Sequence, residues 1–129
     1  TNSRSEWRNT DRNRLLVDAY NANPSSMAAA LDNFAVIEGD GKMAILGDMR
    51  ELGAESMAEH QRVVDKLQGL QLEEVWLVGG EFARTRHPFR SFANVDQVKQ
   101  ELAQRPLSGR TILIKGSNGI RLQQLPEFL

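Results

Sequence analysis

Three short polar segments, each directly behind an apolar run, hold most of the side chains able to do chemistry. The first is Asp18-Ala19-Tyr20-Asn21-Ala22-Asn23-Pro24, which follows Leu15-Leu16-Val17. An Asp at the end of a strand accepts hydrogen bonds from ribose hydroxyls in dinucleotide folds. Asn side chains both donate and accept, and Tyr20 offers a flat face with one hydroxyl. The same residues also suit an elaborate helix cap, with Asn23 capping, Asp18 tying down the turn and Tyr20 packing. The second segment, Leu46-Gly47-Asp48-Met49-Arg50-Glu51-Leu52-Gly53, brackets a charged loop with glycines. Glycine lets backbone approach a ligand closely. Asp48 and Glu51 are placed to bind an ammonium group or to do acid–base work; a loop of solvated charges has the same composition. The third, Lys115-Gly116-Ser117-Asn118-Gly119, presents backbone N–H groups at a helix start, where a carboxylate fits. Its Lys precedes the glycine, so it lacks the P-loop spacing for a triphosphate. An ordinary glycine-rich turn capped by Ser117 or Asn118 is equally compatible.

Strand-like and helix-like patterns alternate along the chain, the mark of βα units and a mainly parallel sheet. Strands are expected at Leu15–Tyr20, Lys42–Gly47, Glu74–Gly79 and Thr111–Lys115, with weaker ones at Phe89–Phe92 and, as an edge, Ser5–Thr10. Asn23 and Pro24 suit the cap and first position of a helix whose Met27, Leu31 and Phe34 share one face. A second helix over Glu55–Gln68 carries Met57, His60, Val64 and Leu67 as its apolar stripe, and Gly69 ends it. A third starts at Asn94 or Asp96 and aligns Val95, Val98 and Leu102. A last helix from about Gly119 offers Leu122, Leu125 and Phe128 or Leu129. Strands such as Ile112-Leu113-Ile114 are apolar without alternation, as in sheets covered on both faces. The expected fold is one three-layer α/β/α Rossmann-like domain over residues 1–129.

Net charge is −1, which favours neither nucleic acid nor an anionic membrane. No apolar run approaches the roughly 20 residues of a membrane span. The chain has 0 cysteines and 2 histidines. Disulfides and thiolate zinc sites are therefore excluded, and a protein-only transition-metal site is not expected. His60 sits on an apolar stripe next to the Asp48 loop and suits either the core or a brace for that loop. His87, before Pro88, reads as a loop residue, and Trp7 and Trp76 as packing residues. The start, Thr1-Asn2-Ser3-Arg4, has neither an initiator Met nor a signal-peptide pattern, so the chain is expected to be cut from a longer, cytoplasmic one.

Together the three segments resemble the C-terminal domain of bacterial Mur ligases. Asp18 to Met27 meets the pattern Asp-x-Tyr-Asn-Ala-Asn-Pro-x-Ser-Met, and Leu46 to Gly53 meets Leu-Gly-Asp-Met-x-Glu-Leu-Gly. A downstream His is met by His60 and Lys-Gly-Ser by Lys115 to Ser117. The order holds from about Arg4 to the end. The resemblance is nearest to the member that adds D-alanyl-D-alanine to UDP-N-acetylmuramoyl-tripeptide in peptidoglycan precursor synthesis. It implies a three-domain ligase with an N-terminal UDP-sugar domain and a central domain carrying the P-loop, the Mg2+ ligands and the catalytic groups. The last domain would close over ATP, excluding water from an acyl phosphate. It implies nucleotide contacts from Asp18, Tyr20, Asn21 and Asn23, with Arg4 at the hinge. Dipeptide contacts would come from Asp48, Met49, Glu51, Lys115, Ser117 and Asn118, with His60 as loop support, and the isolated domain would be inactive. The Leu-Glu pair that the family commonly carries after Lys-Gly-Ser has no secure counterpart here, and Phe82–Phe92 matches no family motif. Two alternatives stay open: the same domain of a Mur ligase with another acceptor, and a stand-alone Rossmann-like module for a small anionic ligand.

Overall fold

The computed structural model describes residues 5–129. Its sheet contains β1 (Glu6–Asn9), β2 (Arg14–Asp18), β3 (Met43–Gly47), β4 (Glu74–Val78), β5 (Arg90–Phe92) and β6 (Thr111–Lys115). Their order across the sheet is β1-β2-β6-β3-β4-β5. Only β1 is antiparallel, paired with β2; β2, β6, β3, β4 and β5 run parallel. Their carboxyl ends therefore share one edge of the sheet. Leu15–Tyr20 stops being strand at Asp18, since Tyr20 onward turns outward toward the next helix.

Side chains alternate across each strand, and the core splits accordingly. Ile112 and Ile114 join Leu15, Val17, Ile45 and Trp76 on one face. Leu113 joins Leu16, Leu46 and Leu77 on the other. The second face is covered by α1 (Pro24–Val36), α2 (Ser56–Gln68) and the short α3 (Gly80–Ala83). The first is covered by α4 (Val95–Gln104) and the C-terminal segment. The chain steps β2, β3, β4, β5 in one direction with its helices on one face, then returns to β6 through α4 on the other. Right-handed crossovers require that change of face. The result is the expected three-layer sandwich.

Local chemistry explains the helix starts. Asn23 Oδ1 accepts from the Ser26 N–H at 2.8 Å, while Ser26 Oγ receives the Asn23 N–H at 3.0 Å, a reciprocal capping box. Asn94 Oδ1 caps α4 through the Gln97 N–H at 3.0 Å, so Asn94 rather than Asp96 begins that helix. At the other end of α1, Lys42 Nζ donates to the Ile37 carbonyl at 2.6 Å and to Phe34, closing carbonyls the helix leaves open. Met27, Leu31 and Phe34 are fully buried as expected.

Two expectations are corrected, and one short helix is added. Met57 is 41% exposed; the buried stripe of α2 runs through Ser56, His60, Val63, Val64 and Leu67. Ser56 replaces Met57 because its polar atoms are satisfied inside. The last helix is instead a chain of 3-10 turns at Asn118–Ile120, Leu122–Gln124 and Pro126–Phe128. Arg121, left-handed at φ 68°, breaks the helix, and Pro126 cannot donate to continue it. Leu122, Leu125 and Leu129 are still buried; Leu122 and Leu125, three apart, share a face of a 3-10 turn as they would of a helix. Finally α3 carries no periodic signal, being only 4 residues long.

Away from the strand tips, Arg90 and Arg105 both contact Glu101, at 2.9 and 2.6 Å. The Arg90 hydrogen bond foremost, with Arg105, holds the Glu101 carboxyl down at about 2 against an ordinary 4.5. A depressed folded-state value contributes stability above the unfolded value and loses it as pH falls through the folded one. The urea midpoint of Glu101→Gln should therefore lie below wild type at pH 6, and the gap should close between pH 4.5 and 2. A gap independent of pH would show that the carboxylate charge contributes nothing.

Candidate functional site

Parallel register sets the tips side by side: Asp18 pairs with Lys115, and Lys115 with Leu46, one residue before Gly47. The Lys115 side chain is 2% exposed, and its ammonium reaches Asp18 Oδ2 at 2.9 Å and the Asn21 carbonyl at 3.1 Å. Ser5 Oγ also donates to Asp18 Oδ2, at 3.2 Å. The tips of β2 and β6 are thus joined by a buried ion pair. The tips of β6 and β3 are joined by Ser117, whose N–H and hydroxyl both donate to the Asp48 carbonyl, at 3.1 and 2.7 Å. Gly47 and Gly116 permit this approach: a Cβ on Gly116 would lie 2.9 Å from Gly47 Cα.

Asp48 reaches the fourth tip as well. Its Oδ2 and Oδ1 accept from the Glu81 and Phe82 N–H groups, each at 2.9 Å. The carboxylate thereby caps α3, where helix-start donors are otherwise unpaired. It sits over Gly79, at φ 120°, where any Cβ would come within 2.3 Å of the Asp48 carboxylate.

Behind this loop lies His60, completely buried. Met49 N–H donates to its Nε2 at 3.0 Å. An N–H can only donate, so Nε2 is the unprotonated nitrogen and Nδ1 carries the ring proton toward the Ser56 carbonyl, 2.7 Å away. Phe82 packs edge-on against the ring at 4.7 Å. Ser56 Oγ donates in turn to Glu81 Oε1. That bond foremost, helped by Arg84 and opposed by burial, holds the Glu81 carboxyl below its ordinary range. Asp48, Met49, His60, Ser56 and Glu81 thus form a closed hydrogen-bonded ring around the loop. In the loop, Glu51 at φ 64° and Gly53 at φ 58° are left-handed. That conformation is uncommon for Glu and occurs where surroundings enforce it, often at ligand sites.

The ring forms one wall of a cleft of about 770 Å³. Its lining runs over residues 48–53, Gly79–Glu81, Arg84, Asn94 and Gly119–Arg121. Of the residues expected to bind, Asp48, Met49 and Glu51 line this cleft; Asp18, Tyr20, Asn21, Asn23, Lys115, Ser117 and Asn118 do not. Met49 contributes backbone, since its side chain is buried. Asn118 Oδ1 accepts from Gln123 at 3.0 Å. On the β2 side, Tyr20 is 60% exposed and Asn21 is exposed, whereas Asn23 is the cap of α1. Arg4 lies outside the described residues. Lys115 and Ser117, expected to cradle a carboxylate, are buried and point inward, Lys115 to Asp18 and the Asn21 carbonyl and Ser117 to the Asp48 carbonyl. Sequence reading missed Arg50, Glu81, Arg84 and Arg121. Gly79-Gly80-Glu81, a fourth polar turn behind an apolar run, was the available signal. Among the described residues no cluster of His, Cys, Asp and Glu is placed to hold a metal ion. Among the described residues no helix is long and apolar enough to cross a membrane.

The family described as Mur ligase, glutamate ligase domain, matches residues 3–118 of this chain. The chain belongs to that family. Relatives of the Mur ligase domain include the UDP-N-acetylmuramoyl-tripeptide–D-alanyl-D-alanine ligase of Rickettsia prowazekii, 31% identical over 99% of this chain and 30% of the relative. The ligase of that name from Treponema pallidum is 35% identical over 89% of this chain and 27% of its own length. The domain therefore spans less than a third of these relatives. Among solved structures, MurF from Acinetobacter baumannii superposes with a TM-score of 0.80 at 26% identity, covering 97% of this chain and 29% of that one. MurF ligase from Thermotoga maritima in complex with ADP gives 0.78 at 23% identity, covering 95% and 29%, and shows the same fold.

Proposed function

We propose that the domain is the closing part of an ATP-dependent ligase that adds D-alanyl-D-alanine to UDP-N-acetylmuramoyl-tripeptide in the cytoplasm. The observation that carries this reading is the division of one sheet edge into two faces. On one side of β6, Tyr20 and Asn21 offer an exposed ring and an amide, groups that suit a nucleotide's base and ribose, on a turn that the buried Asp18–Lys115 pair holds in place. On the other side, the Asp48–Gly53 loop opens into a cleft sized for a short peptide. Lys115 and Ser117 tie the faces together, so both ligands are presented by one rigid edge. The names of the relatives support the acceptor, and their greater length supports partner domains N-terminal and central to this one.

When bound, ATP supplies the phosphoryl group that activates the tripeptide carboxylate. This chain's residues bind, orient and exclude water: Tyr20 and Asn21 hold the nucleotide, and Asp18 fixes Lys115. Asn23, as the cap of α1, sets the turn that presents Tyr20. Glu51 faces the cleft and orients the incoming amine, and the His60 ring keeps the loop in shape. Mg2+, P-loop and catalytic groups belong to the central domain, so the isolated chain should not turn over ATP.

Tyr20 and Glu51 are exposed on different sides of β6 and test the two assignments separately. In the full-length ligase, Tyr20→Ala should raise KM for ATP about tenfold and Glu51→Gln should raise KM for the dipeptide about tenfold, each the loss of one good contact. Either substitution acting equally on both substrates would overturn the two-face assignment. Failure of the wild-type enzyme to ligate D-alanyl-D-alanine would overturn the acceptor.

A further inference from the structure

The charges of the cleft do not cancel within the protein. Asp48 is committed to the Glu81 and Phe82 N–H groups, and Glu81 pairs with Arg84 at 3.1 Å. Arg50, Arg121 and Glu51 remain, and their side chains make no ion pair or hydrogen bond among the described residues. Lys115 and Ser117 do not line the cleft: both are buried, Lys115 against Asp18 and the Asn21 carbonyl and Ser117 against the Asp48 carbonyl.

The backbone sets where both arginines project, and it also supports the Arg50 side chain. A Cβ on Gly119 would meet Arg50 Cζ and Nη2 at 3.0 Å and Nη1 at 3.2 Å. Near-equal distances to three atoms of a planar group mean that the guanidinium lies flat on the Gly119 turn. Its N–H donors lie in the plane and so are not directed at that turn. Arg121 stands at the left-handed kink between two 3-10 turns, and, like Arg50, it lines the cleft. One guanidinium thus comes from the loop behind β3 and the other from the loop behind β6, the two loops that Ser117 joins.

We propose that Arg50 and Arg121 clamp the C-terminal carboxylate of the acceptor dipeptide, with Glu51 at its amino end. The choice of dipeptide rests on the function proposed above; the clamp requires only a small carboxylate guest. Guanidinium matches carboxylate geometry with paired N–H donors, and one leftover carboxylate beside two leftover cations suits a guest with one amine and one acid. The cleft would therefore select a free C-terminal acid over its amide.

The test compares D-alanyl-D-alanine with its C-terminal carboxamide in the full-length ligase. Arg50→Ala and Arg121→Ala should each lower kcat/KM for the acid about 10- to 100-fold, as expected for lost charged hydrogen bonds. The loss on the amide, which keeps only a neutral carbonyl acceptor, should be several-fold smaller, so the acid/amide preference falls. Arg50→Lys should restore only part, and Gly119→Ala should weaken acid selection by lifting the guanidinium. An unchanged acid/amide ratio in both alanine variants overturns the clamp. A second measurement is independent of turnover: in this chain, the Nε–Hε NMR signals of Arg50 and Arg121 should shift with the acid and not with the amide, while Arg62 stays still. Absence of that selective shift also overturns the clamp. Selective shifts without ligation by the full-length wild type would retain the clamp and overturn the proposed reaction instead.

Discussion

Lys115→Met lowers the unfolding free energy by about 3–5 kcal/mol, the range for stranding one member of a buried ion pair. Lys115 is 2% exposed and Asp18 11% at their side chains, with 2.9 Å between them. Removing the ammonium leaves a carboxylate inside with Ser5 Oγ as its remaining donor among the described residues, and frees the Asn21 carbonyl that positions the β2 turn. The pair in isolation contributes little over apolar residues of the same size, because desolvation offsets most of the attraction. Asp18→Leu combined with Lys115→Met should accordingly be less destabilising than the two single changes added together. Urea denaturation of the four proteins gives the coupling directly. Strict additivity would show that the two charges do not interact. The ion pair also bears on function: Asp18→Ala should impair the fold as well as any nucleotide contact.

Asp48→Ala should have the other large effect, and on one substrate. Its carboxylate satisfies the Glu81 and Phe82 N–H groups, and hydrogen bonds to a charged group are each worth about 1.5–3 kcal/mol. Without them α3 loses its cap and the cleft loses a wall. In the full-length ligase, kcat/KM for D-alanyl-D-alanine should fall about 100-fold or more, equivalent to roughly 3 kcal/mol. The KM for ATP should change less than about threefold, since the β2 tip keeps Lys115 and Asn21; a change within that range is below one weak contact. Gly79→Ala should reproduce the defect through sterics alone, because its Cβ would lie within 2.3 Å of the same carboxylate. Equal losses for both substrates would mean that the edge holds one pocket and not two.

Much of this was legible in the chain because local rules set it. The Asn23-Pro24 cap, the face carrying Met27, Leu31 and Phe34, and the apolar run Thr111–Lys115 depend on neighbours a few residues away, and the structure reproduces each. The polar tips behind β2, β3 and β6 were visible for the same reason. Met57 and the terminal turns were misread because a spacing of three or four residues is shared by several backbone forms and by two faces of one helix. Only burial against a particular neighbour decides between them.

Which residues stand at strand ends, and that the sheet is covered on both sides, can be read along the chain, since turn chemistry and periodicity are local properties. What those residues touch depends on how the strands are ordered. Strand order put Lys115 between Asp18 and the β3 tip, turning an apparent anion site into a buried ion pair. It also brought Glu81, Arg84 and Arg121 to the Asp48 loop from distant parts of the chain. Whether a charge is free for a ligand or already answered by the protein depends on contacts between segments far apart in sequence, and no short-range pattern records them.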